Sequence, residues 1–122
     1  MKPFSTAWKS SKDPGKQRKY QAMAPQHLCS TLVSAHLSKE LRAQYKRRSL
    51  PVRTGDTVKV LRGSHKGKSG TVHRVDRKTL RIYVNGVTST KRDGSAPLLP
   101  IQTSNVTIIT LAVDKRRIEA KQ

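Results

Sequence analysis

Arg62, His65, Lys66 and Lys68 lie in one short stretch interleaved with Gly63, Gly67 and Gly70. Phosphate is met mostly by Lys, Arg and backbone N–H groups. Glycine lets a loop take positive φ and lets its backbone come close to a sugar–phosphate chain. The chemistry this pattern offers is therefore anion binding. The same residue types recur in three other places. Lys91 and Arg92 sit in a loop bounded by Gly86 and Gly94, and Lys12, Lys16, Arg18 and Lys19 lie near the N-terminus. Arg47, Arg48 and Arg53 flank Pro51. All of these cations are expected to contact phosphate.

Other chemistries find less support. Asp56 follows Gly55, but no second carboxylate or histidine stands at motif spacing, so a turn-stabilising role is expected. His27, Cys29 and His36 supply three ligands, one short of a structural zinc site. Neither a G-x-S-x-G elbow, a Walker-type loop nor an H-E-x-x-H helix occurs in the sequence. The reading is of a protein without catalytic residues, metal, cofactor or small-molecule substrate. Cys29 is the single cysteine, which excludes an intramolecular disulfide.

Charge identifies the partner. The 122 residues hold 26 Lys and Arg against 7 Asp and Glu, a formal charge of +19. The excess is spread: +9 over residues 1–51, +8 over 52–111 and +2 over 112–122. Such a surplus repels itself and favours a polyanion. A membrane-surface helix would set Trp, Phe and Leu opposite its cations. The five aromatics, Phe4, Trp8, Tyr20, Tyr45 and Tyr83, form no such stripe. No apolar run approaches the ~20 residues of a membrane span, and no secretory signal is read at the N-terminus. Nucleic acid is the expected partner and the cell interior the expected location. Trp8 and Tyr20 are able either to stack on bases or to pack.

The elements that must carry these residues follow from periodicity. Apolar content is 34 %, below the roughly 45–50 % of ordinary domains, so a core serving the whole chain is not expected. Residues 1–25 are polar and broken by Pro3, Pro14, Gly15 and Pro25, and are expected to be an extended arm. Leu28, Leu32 and Val33 suggest a short helix over 26–36. A second is expected over 38–48, capped by Ser38, with Leu37, Leu41 and Tyr45 as its apolar stripe and Lys46, Arg47 and Arg48 in its last turn. From Val52 the pattern switches to short period-2 runs separated by Gly, Asp and Asn, the texture of a small β-barrel. The expected strands are 56–62, 69–76, 79–85, 87–91 and 106–111, with Asp76 to Thr79 as a tight hairpin. Leu98-Leu99-Pro100 fits no element of this reading. The tail from 112 carries Asp114 as a helix cap.

The run from Gly55-Asp56-Thr57-Val58-Lys59-Val60 through Gly63, Lys66-Gly67 and Gly70-Thr71-Val72 resembles the KOW motif of ribosomal proteins and transcription elongation factors. Its flanks narrow the likeness. Leu37 to Arg42, with Tyr45, Arg48, Ser49, Pro51, Val52 and Arg53, are similar to the segment before the barrel in the universal KOW-type protein of the large ribosomal subunit. That family is the twenty-fourth of the bacterial series, and the match is to its long archaeal and eukaryotic form. Asn85 to Thr88, Lys91, Ile101, Ser104 to Val106 and Asp114 to Arg116 fit its later strands and end, and Ala24, Pro25 and His27 its N-terminal extension. The uncharged stretch Leu28 to Val33 departs from it. The likeness covers about residues 24–118.

The resemblance implies a mainly β protein. Its centre is a small SH3-like (KOW) barrel over 52–111, preceded by the arm at 1–25 and a helical segment at 26–51 and followed by a tail at 112–122. It implies a structural constituent of the large subunit that binds the 5′ domain of large-subunit rRNA, supports early assembly, neighbours other ribosomal proteins and lies near the nascent-peptide tunnel exit in the cytoplasm. The competing expectation is a KOW-domain transcription elongation regulator.

Overall fold

A computed structural model describes residues 4–119 of the chain. Residues 1–3 and 120–122, the outermost parts of the expected arm and tail, lie outside the described residues. Seven strands form one sheet: β1 (Ser34–Leu37), β2 (Ser49–Pro51), β3 (Thr57–Val60), β4 (Ser69–Asp76), β5 (Arg81–Thr88), β6 (Leu98–Gln102) and β7 (Val106–Thr110). Their order is β2-β1-β7-β3-β4-β5-β6. Four short α-helices accompany them: α1 (Pro14–Met23), α2 (Gln26–Leu32), α3 (Lys39–Tyr45) and α4 (Lys115–Glu119). The architecture is mainly β and barrel-like, as the period-2 runs imply.

The alternation of the strands explains the core. Val58 and Val60 of β3, Val72 of β4, Ile82, Val84 and Val87 of β5, and Val106 and Ile108 of β7 are buried together, while the residues between them face outward. β-branched side chains suit this pleated inner surface. β4 pairs with β3 through its first residues and with β5 through its later ones, with a register shift between Val72 and Arg74. Further shifts occur between Thr57 and Val58 and between Tyr83 and Thr88. Such bulges bend strands and raise the local twist, which lets a seven-strand sheet curl around one core.

Gly70 sits where β4 passes close to β5. A Cβ there would stand 2.3 Å from the carbonyl oxygen of Asn85 in β5. Only a residue without a side chain fits.

Several sequence expectations are corrected. The arm is not extended where it is described. A 3-10 turn (Thr6–Ser10) and α1 occupy it. Asp13 caps α1, with its carboxylate accepting from the Gly15 N–H, and Pro14 stands at the first turn where its missing N–H costs nothing. Three aromatics then give the arm a small apolar nucleus: Phe4 stacks on Tyr20 at 5.4 Å and meets Trp8 edge-on at 6.4 Å.

Within 26–51 the first helix ends at Leu32, and β1 follows. Ala35 and Leu37 alternate inward on that strand, so Leu37 serves the sheet and not the helix stripe. Ser38 does cap α3, its hydroxyl accepting from the Leu41 N–H. α3 stops at Tyr45 because Lys46 turns left-handed at φ 52°. Lys46, Arg47 and Arg48 therefore lie past the helix. The expected strand at 87–91 is not separate: Val87 and Thr88 end β5, and 89–91 are loop. The unplaced Leu98-Leu99-Pro100 opens β6.

Candidate nucleic-acid interface

The β3–β4 loop is held by its own backbone. The Val60 N–H donates to Lys68 O and the Gly67 N–H to Val60 O, both at 2.8 Å, and the Lys66 N–H donates to Gly63 O at 3.2 Å. Gly67 adopts φ 88° with open space around it, so its conformation, not crowding, requires glycine. The fixed tip exposes Arg62, Lys66 and Lys68. His65 is half-buried, and its Nδ1 is enclosed without a hydrogen-bond partner. Arg62 and His65 share a cavity of about 190 Å³ with Arg81, Gln102 and Asn105.

The other expected contacts separate into three places. Lys91 and Arg92 are exposed on a turn closed by Gly94 N–H to Lys91 O and Lys91 N–H to Ser95 O. The carboxylate of Asp93 in this turn accepts from the Ser95 N–H and hydroxyl, which together hold it below the usual carboxylate range. Lys12, Lys16, Arg18 and Lys19 are all exposed. α1 turns Tyr20 inward onto Phe4 and so presents its cations outward. Tyr20, at 6 % exposure, packs and is not a surface for base stacking.

Arg47, Arg48 and Arg53 lie around β2. Arg47 is half-buried, donating to the Arg117 carbonyl at 3.5 Å. Arg48 is exposed, and Arg53 is exposed but paired with Asp114. Arg47 and Arg48 share a hollow with Arg117, and Arg53 shares one with Arg77, Arg116 and Arg117.

Asp56 has the turn role expected of it and a larger one. It is fully buried. Its oxygens accept from the Arg53 N–H at 3.0 Å and the Ala112 N–H at 2.9 Å. They also receive both terminal nitrogens of Arg117. Arg117 in turn donates to the Pro51 carbonyl. One carboxylate thus fastens the start of β3, the end of β2 and α4. Sequence reasoning missed Arg117, because nothing in a polar tail marks one arginine as the buried one. It also passed over Arg77 and Lys78, although it placed them in a hairpin whose exposed tip was the available signal.

His27 and His36 are exposed, and the Cys29 thiol donates to the Ala24 carbonyl at 3.4 Å. Among the described residues, no group of three or more His, Cys, Asp or Glu is arranged to hold a metal ion. Among them, too, no helix is long and apolar enough to cross a membrane.

A small curled sheet whose third and fourth strands are joined by a lysine-bearing, glycine-shaped tip defines a protein of the KOW type. Residues 11–121 match the family of the eukaryotic ribosomal proteins L26 and their archaeal L24-type counterparts. The chain is also 48 % identical over 111 residues to the large ribosomal subunit protein uL24 of Methanospirillum hungatei, covering 91 % of this chain and 92 % of that one. The chain belongs to this family of ribosomal proteins.

Proposed function

We propose that this protein is a structural constituent of the large ribosomal subunit that binds and braces large-subunit rRNA. Its site is the 5′ domain, where it supports early assembly near the nascent-peptide tunnel exit, among neighbouring ribosomal proteins in the cytoplasm. The observation that carries the proposal is the self-supported β3–β4 tip with Lys66 and Lys68 exposed, in a chain of charge +19 from a ribosomal family. Preformed cationic loops suit RNA, which is read largely by shape and backbone. Location and timing are supported by the family relationship.

The role is binding without turnover. Asp56, the carboxylate within the motif, is engaged by Arg117 and two backbone N–H groups. The test is co-sedimentation of the native protein on a sucrose gradient. Residence in the large subunit in moderate salt is the expected result. Migration with RNA polymerase would instead support the elongation-factor reading. In a direct assay, Lys66→Ala/Lys68→Ala should flatten the log-salt slope of rRNA binding by up to ~2 units.

A further inference from the structure

Three hollows run end to end along one side of the molecule. The first, about 410 Å³, lies among Arg47, Arg48, Pro51 and Arg117. The second, about 200 Å³, lies among Pro51, Arg53, Arg77, Arg116 and Arg117. The third, about 400 Å³, is lined by Arg74, Asp76, Arg77 and Lys78. The first and second share Pro51 and Arg117; the second and third share Val75 and Arg77. Adjoining through these shared residues, they make up a trench between α2, β2, α4 and the β4–β5 turn.

The charged residues of the walls are arginines and one lysine, with Asp76 as the one carboxylate among them. The carboxylates at these walls already have partners. Asp114 pairs with Arg53, and Asp76 accepts from the Lys78 and Thr79 N–H groups of its own turn. Arg117 is neutralised by Asp56 and anchors the floor. Arg48, Arg77, Lys78 and Arg116 are exposed to whatever enters. The rim along α2 offers Gln26, Ser30 and Thr31.

We propose that this trench is a second RNA-binding face that seats the sugar–phosphate backbone of one strand, separate from the β3–β4 tip. The chemistry favours RNA over an acidic peptide. The wall is dominated by guanidinium groups, which grip phosphate with two donors and also stack on bases. The hydroxyls and amide along the rim suit 2′-hydroxyls, which both donate and accept. The two faces are also physically distinct. Lys68 precedes the first residue of β4 and Arg77 follows its last, so up to ~23 Å of strand lies between them at ~3.3 Å per residue. The protein therefore grips two RNA segments and holds them at a fixed separation. This rests on the rRNA reading and adds to it a second, independent contact.

The experiment uses the full chain and a transcript of the 5′ domain of large-subunit rRNA. Binding is measured over a KCl series for Arg77→Ala/Arg116→Ala, for Lys66→Ala/Lys68→Ala and for the quadruple variant. Thermal melts confirm that each is folded. Each double variant should lower the log-salt slope by about 1–2 units, and the quadruple by the sum, because distant sites add. Arg77→Lys/Arg116→Lys should keep the slope and bind severalfold more weakly. A trench variant with the wild-type slope, beside a loop variant whose slope falls, would overturn the second face and leave the rRNA reading standing. A wild type that fails to bind the transcript would overturn both. A trench variant that loses affinity for poly-L-glutamate but keeps its slope on RNA would make the trench a protein site, and the proposal would fail.

Discussion

Arg117 places its two terminal nitrogens 2.7 and 2.6 Å from the two carboxylate oxygens of Asp56, a residue 61 positions earlier in the chain. Both side chains are almost completely enclosed, at 2 % and 0 % exposure. The Nε of Arg117 is buried without a partner, so the match is close but incomplete. Removing one member of such a pair leaves an uncompensated buried charge. Arg117→Ala is therefore expected to cost about 3–5 kcal/mol, measured by urea denaturation. Asp56→Asn/Arg117→Leu should recover part of that loss, because neither residue then carries a charge.

Gly70 and Gly63 separate two reasons for glycine. An added methyl at Gly70 meets the Asn85 carbonyl oxygen and, at 3.0 Å, a Val84 methyl, so backbone would have to move. At Gly63 the space is open, and the obstacle is φ 97° alone. Gly70→Ala should cost about 3 kcal/mol, whereas Gly63→Ala should cost about 1 kcal/mol. Denaturant midpoints of the two variants, compared side by side, check the difference.

Lys46 ends α3 in the left-handed region at φ 52°, and its N–H donates to the Arg42 carbonyl. A side chain there is strained, and glycine is the usual residue in this role. Lys46→Gly should stabilise the protein by about 0.5–1 kcal/mol after the added unfolded-chain entropy of glycine is counted. A thermal melt should rise by a few degrees.

Acid should loosen the β4–β5 turn. The Asp76 carboxyl is held below its ordinary value of 3.8, first by the Thr79 hydroxyl, then by the Thr79 and Lys78 N–H groups, with Arg74 adding to the effect. A depressed folded-state value means that ionised Asp76 stabilises the turn. That contribution is fully present above the unfolded value and is lost as pH falls through the lower folded one. Protection of the Lys78 and Thr79 amides, measured by NMR against their intrinsic exchange rates, should fall in this acidic window. Unchanged protection down to low pH would show that the carboxylate does not hold the turn.

What the sequence revealed depended on how local the governing physics was. Val58, Val60, Ile82 and Val84 alternate with polar residues, and the strands they imply are observed as β3 and β5. Ser38 and Asp114 were legible as caps, because capping is decided within three residues. β1 was hidden because its partner β7 is distant in sequence, and because Leu37 read equally well as part of a helix stripe. The arm was misread because three scattered aromatics, Phe4, Trp8 and Tyr20, have no period yet meet in space. At the candidate interface, composition revealed the cations, and the KOW spacing marked the β3–β4 tip. The trench was invisible because Arg48, Arg77 and Arg116 come from three distant segments.

β1 joins the sheet by a parallel pairing in which His36 lies opposite Thr107. During synthesis the first strand made finds β2 early on one edge but waits for β7 on the other. Until Val106–Thr110 has emerged, Ser34–Leu37 carries an unsatisfied edge on a chain already dense with positive charge. Long-range pairings of this kind are slow to close. A nascent chain in that state is prone to stray associations until the parallel pairing closes that edge.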